Sequence, residues 1–194
     1  MEDRKPTGEI NNKATYICGL DVARTGADET AVVVLEEIAF SNKKYICYME
    51  TLDTPKLTSA IGRIAYLDKF FNFKKIIVDE TGLGAGVSDV LKDELGAKVK
   101  GITFSTKSKA EMFNNLKIML QNNSLYLPNH NTNKKHINKK LYYQLLSITQ
   151  EWSKIGQLLL SHPERDHDDL ACALALASYY FNVTTKRRRE YALG

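Results

Sequence analysis

The sequence predicts an α/β domain in which helices cover both faces of a mixed sheet. Three early segments rich in β-branched and aromatic residues follow one another with short connections, which is typical of an antiparallel meander. Further along, segments with apolar residues at helical spacing alternate with short apolar strands, which is typical of parallel crossovers. Together the two halves predict one sheet that combines antiparallel and parallel strands.

The predicted meander consists of TYICGLDVA, TAVVVLEEI and KKYICYMETL, with Ser41-Asn42 in one of the turns. A helix follows in TSAIGRIAYLDKFFNF, where residues such as Ile61, Ile64 and Leu67 share one face. KKIIVDETG is a short apolar strand that ends in acid. GAGVSDVLKDELGA is a helix closed by Gly96, and KVKGITFS is the next strand.

The last third is predicted to be mainly helical. SKAEMFNNLKIMLQNN is a helix opened by a Ser/Thr cap, SLYLP is briefly extended, and TNKKHINKKLYYQLLSITQ is a helix. EWSKIGQLLLSHP predicts a hairpin around Gly156, and the final helix is expected to begin near Asp166. We expect one domain over residues 14–182, between a polar lead-in (1–13) and a basic tail (183–194).

Composition narrows the class of protein. The chain has 194 residues, 43% of them hydrophobic, which suffices for one sizeable core. No apolar run is long enough to span a membrane, and the polar N-terminus does not resemble a secretory signal. Cys18, Cys47 and Cys172 lie in separate apolar runs, so we expect reduced core residues in a cytosolic protein.

The formal net charge of +4 is modest, but the basic residues recur in pairs along the chain. Each pair is typical of solvated surface, whereas all of them together could contact the phosphates of a nucleic acid. The pairs and the tail are Lys43-Lys44, Lys74-Lys75, Lys98 with Lys100, Lys107 with Lys109, Lys134-Lys135, Lys139-Lys140 and the KRRRE segment from Lys186.

Carboxylates stand at three separate strand or helix ends. Asp21 ends the first strand, and Asp79 ends the fourth, where Glu80 follows it. If these two strands are neighbours, their acids lie side by side. Near the last helix, one acid would be a normal cap, favoured by the helix dipole, but HPERDHDD supplies three aspartates, Asp166, Asp168 and Asp169. Oxygen ligands converging from several elements predict a divalent-metal site that can hydrolyse phosphodiesters.

Four segments, in this order, closely resemble the nuclease domain of viral large terminase subunits: GLDVARTGADETAVVVLEE, IIVDETGLGAGVSDVLK, STKSKAEMFNNLKIMLQNNSLYLP and HDDLACALALA. The resemblance runs from about Tyr16 to Tyr180. It implies a ribonuclease H-like fold, similar to Holliday-junction resolvases. It also implies an endonuclease that cuts double-stranded viral DNA during genome packaging, using two Mg²⁺ or Mn²⁺ ions.

The resemblance also implies roles for individual residues. Asp21 matches the first-strand acid that bridges both metals, Asp79 matches the fourth-strand acid, and both Asp168 and Asp169 fit the third. Aligning ACALALA with the resolvase pattern ADALALA places Cys172 where an aspartate is expected, which is a departure from the pattern. The expected DNA phosphate contacts are Arg24, Lys107 and Lys109, and the expected neighbours of the metal ligands are Glu80 and His167.

The implied partners are double-stranded DNA, the terminase ATPase domain, the small terminase subunit and the portal, in the cytoplasm of an infected host cell. No G-x-x-x-x-G-K-[ST] phosphate loop occurs, so we expect the nuclease half without the ATPase half. The alternatives are a resolvase-like nuclease and an actin-like or sugar-kinase-type ATP-binding domain. A dinucleotide site is disfavoured, because Gly82, Gly84 and Gly86 do not form G-x-G-x-x-G.

Overall fold

The structure is a computed structural model of the chain. It describes residues 10–23, 29–52, 57–128, 135–152, 158–161 and 168–192.

Within these residues, six strands form one mixed sheet in the order β5-β4-β1-β2-β3-β6. Strands β1 to β3 form the antiparallel meander, while the β1–β4, β4–β5 and β3–β6 pairs are parallel. A separate antiparallel pair, β7–β8, forms a hairpin. The strands are β1 (Ala14–Asp21), β2 (Thr30–Ile38), β3 (Lys44–Leu52), β4 (Lys75–Asp79), β5 (Val99–Ile102), β6 (Leu125–Tyr126), β7 (Thr149–Trp152) and β8 (Leu158–Ser161).

Five α-helices lie in the described part of the chain, and none of these helices has the length and apolar character needed to cross a membrane. Gly96 follows α2 with φ 62°, as predicted. The predicted Ser/Thr cap of α3 is Ser105, which makes a reciprocal pair of bonds with Ser108, the residue at which the predicted segment begins. The helices are α1 (Leu57–Phe71), α2 (Gly84–Leu95), α3 (Thr106–Gln121), α4 (Lys135–Ser147) and α5 (Asp169–Ala192).

The sheet separates two hydrophobic cores, which confirms the prediction of helices on both faces. Side chains alternate along β1, so that Ile17 faces α3, α4 and α5, whereas Cys18 and Leu20 face α1 and α2. The first face is closed by α5, whose residues Leu170 to Ala177 are all buried. A helix hydrophobic on every side is expected where it is enclosed by a sheet and other helices.

Helix α5 lies unusually close to β1. A Cβ atom added to Gly19 would lie 2.0 Å from the carbonyl oxygen of Ala173 and 2.7 Å from the amide nitrogen of Ala177. Only glycine permits this approach of two backbones. Gly19 therefore sets the distance between the central strand and the helix that follows the HDD acids.

Two predicted boundaries are wrong in the last third. The helix expected to include Ile148 and Thr149 ends at Ser147, and the chain enters β7 at Thr149 because this segment pairs with β8. The final helix begins at Asp169 rather than near Asp166, and it continues to Ala192 through most of the segment expected as a tail. The predicted hairpin is confirmed by the β7–β8 pairing, whereas Gly156 lies outside the described residues.

Candidate metal centre

The sheet register brings the two strand-end acids together. In the parallel pair of β1 and β4, Leu20 lies opposite Val78, so that Asp21 and Asp79 follow at neighbouring positions. Leu20 and Val78 both belong to the core beneath α1 and α2. Because side chains alternate between faces, Asp21 and Asp79 project towards the other face, where α5 lies. The predicted adjacency of the first and fourth strands is confirmed.

The HDD acids meet this pair from the start of α5. Asp168 precedes the helix, and its carbonyl oxygen accepts a hydrogen bond from the Cys172 amide at 2.8 Å. Asp168 and Asp169 are partly buried, and Asp79 is only 3% exposed. Burial raises the pKa of Asp21 well above its ordinary value, and the negative charges of Asp79, Asp169 and Asp168 raise it further. The carboxylates of Asp79, Asp169 and Asp168 are therefore close enough to Asp21 for their charges to act on it.

The cation next to these acids is Lys109, near the start of α3. Its Nζ atom donates a hydrogen bond to Oδ2 of Asp168 at 2.6 Å, and their side chains are 27% and 14% exposed. Burial alone would lower the pKa of Lys109, but the charge and hydrogen bond of Asp168 and the charge of Asp21 raise it above its ordinary value. Burial also raises the pKa of the Cys172 thiol, so this group is neutral at neutral pH. The carboxylates therefore provide the negative charge that keeps Lys109 protonated.

Thr81 fixes the orientation of Asp79. Both the backbone N–H of Thr81 (2.9 Å) and its hydroxyl (2.6 Å) donate to Oδ1 of Asp79. The same hydroxyl accepts a hydrogen bond from the Phe104 amide at 3.0 Å, which ties the loop after β4 to the loop before α3. The sequence prediction missed Thr81. The Asp-x-Thr spacing was an available signal, because an aspartate readily accepts bonds from groups two residues ahead.

The glycines after β4 pack against the strand end. A Cβ atom on Gly84 would lie 1.8 Å from the carbonyl oxygen of Asp79, so α2 begins in direct contact with the backbone of this acid. Gly82 has φ 67°, a conformation that favours glycine. These two glycines therefore allow the chain to reverse direction between β4 and α2.

Glu80 is directed away from the four acids. It follows Asp79, and its Oε1 atom accepts hydrogen bonds from Ser88 and Lys92 of α2, each at 2.7 Å. The bonds from Lys92 and Ser88 lower the pKa of Glu80. Its described contacts therefore attach α2 to the end of β4.

The remaining predicted residues differ in how far the structure describes them. Lys107 is exposed on the first turn of α3, whereas Arg24 and His167 lie outside the described residues. Several lysines of the basic pairs make internal contacts: Lys44 with Glu37, Lys98 with Asp68, Lys109 with Asp168 and Lys140 with Glu29. Part of the basic charge is thus paired with acidic side chains inside the fold.

The donor set fits a divalent cation in its chemistry. Four carboxylates from two strands and one helix start offer the hard oxygen ligands that Mg²⁺ and Mn²⁺ take in proteins. Their mutual repulsion is relieved by positive charge. Within the described part of the chain, no three His, Cys, Asp or Glu side chains are arranged as a complete metal-binding group.

Comparison with known proteins identifies the fold. Neither a family model nor a curated protein matches the sequence. Among solved structures, the large terminase nuclease from thermophilic phage G20c with bound magnesium is 19% identical, with a TM-score of 0.69 over 88% of this chain and 83% of that chain. The chain has the fold of phage large-terminase nuclease domains.

Two further terminase structures have a similar fold. A variant nuclease domain of the Sf6 large terminase subunit gp2, with manganese and beta-thujaplicinol, is 13% identical, with a TM-score of 0.69 over 87% of this chain and 89% of that chain. The HK97 bacteriophage large terminase is 12% identical, with a TM-score of 0.64 over 87% of this chain and 40% of that chain. The predicted fold class, a ribonuclease H-like mixed sheet with helices on both faces, is confirmed.

Proposed function

We propose that this terminase-type domain is a divalent-metal-dependent endonuclease that cuts double-stranded viral DNA during genome packaging. The observation that carries the proposal is the convergence of Asp21, Asp79, Asp168 and Asp169 on one face of the sheet. Repelling carboxylates in a partly buried site are unfavourable for stability alone, so they indicate a bound cation and a catalytic purpose. The similarity to nuclease domains solved with magnesium or manganese supports the same assignment.

In this proposal Asp21, Asp79, Asp168 and Asp169 would hold two Mg²⁺ or Mn²⁺ ions. When bound, such a pair activates water and neutralises the charge on the attacking and leaving oxygens of a phosphodiester. Asp21 would be a central ligand of these ions, because the charges of the other three acids all act on it. Thr81 keeps Asp79 in one orientation through two hydrogen bonds, so that this ligand is ordered before the metal binds.

Lysine and arginine side chains would position the DNA backbone. Lys107 is exposed and Lys109 lies at the acidic cluster, so we propose both as phosphate contacts, together with Arg24. We also propose Glu80 and His167 as neighbours of the metal ligands. Glu80 would support the ligands indirectly, because its hydrogen bonds attach α2 to the end of β4. Phosphate contacts carry no base information, so we expect cleavage with little sequence preference.

The partners follow from the proposed role. A packaging nuclease acts with the terminase ATPase domain, a small terminase subunit and the portal, in the cytoplasm of the infected host cell. The match to only 40% of the HK97 large terminase is compatible with a nuclease portion of a larger motor.

Plasmid cleavage tests the proposal. Supercoiled plasmid is incubated with the protein and Mn²⁺, and nicked and linear products are compared between wild type, Asp21→Asn and Asp93→Asn. Asp93 is an exposed acid on α2, so Asp93→Asn removes the same charge from a position away from the cluster. We expect wild type and Asp93→Asn to cleave, and Asp21→Asn to lose cleavage, as does wild type in EDTA. Equal cleavage by wild type and Asp21→Asn, or none with Mn²⁺ or Mg²⁺, contradicts the proposal.

A further inference from the structure

We propose that Lys109 is an internal counter-ion of the acidic cluster, which holds the metal-free site together and is displaced from Asp168 when a divalent cation binds. This inference rests on the proposed function, because it concerns how the same four acids exchange one positive charge for another. In this proposal Lys109 has two successive partners. It pairs with Asp168 while the site is free of metal, and with a DNA phosphate once the metal is bound.

The contact between Lys109 and Asp168 joins distant parts of the chain. Lys109 belongs to the first turns of α3 and Asp168 precedes α5, yet their side-chain atoms are 2.6 Å apart. Neither group is strongly exposed, at 27% and 14%, so water screens this pair less than it screens a surface ion pair. A lysine in this place neutralises part of the charge of four carboxylates.

The surroundings of Lys109 stabilise a cation at this point. The Nζ atom lies 5.9 Å from the ring centroid of Phe104 and 6.0 Å from that of Phe113, within the range of a cation–π attraction. Two aromatic rings and the acids therefore share the ammonium group. The ring of Phe104 belongs to the segment that bonds Thr81, so the lysine and the Asp79 ligand are linked through one loop.

The position of Lys109 in α3 is otherwise unfavourable. The positive end of a helix dipole lies at its N-terminus, so cations are disfavoured in the first turns. The reciprocal bonds between Ser105 and Ser108 fix the start of this helix, which leaves Lys109 directed at the cluster from an ordered backbone. The attraction of the acids compensates for the dipole.

Binding of a metal ion to Asp168 competes with this arrangement. Oδ2 of Asp168 accepts the lysine proton, and an ammonium group and a divalent cation at the same carboxylate repel each other. A metal ion therefore has to displace Lys109 from Asp168. The released ammonium group remains beside the metal site, where the phosphate of a bound DNA strand would be the next available anion.

Thermal unfolding with and without Mn²⁺ tests this exchange. The proteins are wild type, Lys109→Met, Lys109→Arg and Lys117→Met, each in EDTA and in saturating Mn²⁺. Lys117→Met is the matched control, because Lys117 is an exposed lysine on the same helix. We expect Lys109→Met to have a lower Tm than wild type in EDTA and a Tm close to wild type in Mn²⁺. Lys109→Arg and Lys117→Met should show the wild-type metal response.

A Mn²⁺ titration by calorimetry gives the size of the effect. Because the metal no longer competes with a charged hydrogen bond, the apparent Kd of Lys109→Met should fall by roughly tenfold or more. A purely structural ion pair would instead lower the Tm equally with and without Mn²⁺ and leave the Kd unchanged. Either of those results, or no change of Tm in EDTA, overturns the inference.

An Asp168→Asn background provides a second measurement if Lys109→Met folds poorly. Removing one acid lessens the need for the counter-ion, so the loss of Tm in EDTA caused by Lys109→Gln should be smaller in Asp168→Asn than in wild type. An equal loss in both backgrounds also overturns the inference. The proposed function fails separately, when wild type itself shows neither a Mn²⁺-dependent Tm shift nor cleavage of plasmid.

Discussion

Replacing Gly19 by alanine is expected to disrupt the proposed metal centre without changing any of its acids. The new Cβ atom would lie 2.0 Å from the Ala173 carbonyl oxygen, well inside the 3.0 Å below which real Cβ contacts are essentially absent. Restoring that distance requires α5 and β1 to separate by about 1 Å, because both groups in contact belong to backbones. Overpacking of this kind costs about 1–3 kcal/mol of stability.

The same displacement moves the start of α5, and with it Asp168 and Asp169, relative to Asp21. A misplacement of about 1 Å in a catalytic constellation lowers activity on the order of 100-fold. Urea unfolding in EDTA measures the loss of stability, and Mn²⁺-dependent plasmid cleavage measures the loss of activity under conditions where the variant is folded.

Gly62→Ala is the matched control. Gly62 lies inside α1, and an added Cβ atom would meet nothing within 4 Å. Alanine is the better helix former, so this variant should gain about 0.5–1 kcal/mol of stability and keep full cleavage activity. If Gly19→Ala is as stable and as active as Gly62→Ala, then α5 does not depend on close contact with β1, and the reasoning is refuted.

Three further predictions concern the acids and a buried ion pair. The pKa of Asp21 is higher in the folded protein than in the unfolded chain, so the folded state becomes less stable as the pH rises above the unfolded pKa and Asp21 ionises. Asp21→Asn removes this cost and should therefore raise the Tm in EDTA at about pH 8 and change it less at about pH 5. A lower Tm at about pH 8 would contradict this. Thr81→Val removes the hydroxyl bond to Asp79 and should weaken Mn²⁺ binding, measured by calorimetry, by roughly 10-fold, whereas Thr81→Ser should not. Arg63→Met leaves Glu50, which is 8% exposed, without its bidentate partner, and should lower the unfolding free energy in urea by roughly 3 kcal/mol. An unchanged urea midpoint would count against that pair.

Much of the fold could be predicted because its signals are local. Runs of apolar and β-branched residues predicted the strands of the sheet, Gly96 marked the end of α2, and a Ser/Thr cap was expected at the start of α3. Strict alternation also accounts for Asp79 and Glu80 facing opposite sides of the sheet, a consequence that sequence reasoning could have drawn. The β7 boundary was missed because residues after Ser147 form a strand only by pairing with β8, which no helical periodicity reports.

The sequence by itself determined which residue types stand where chemistry is needed: Asp21 and Asp79 at strand ends, and Asp168 and Asp169 before an apolar helix. Only the tertiary structure decided which groups meet them. Lys109 contacts Asp168 because α3 and α5 pack on the same face of the sheet, and Gly19 lets α5 approach β1 closely enough for this. Secondary structure reflects periodicity among neighbours in the chain, whereas contacts between distant elements depend on sheet order and on how closely backbones pack.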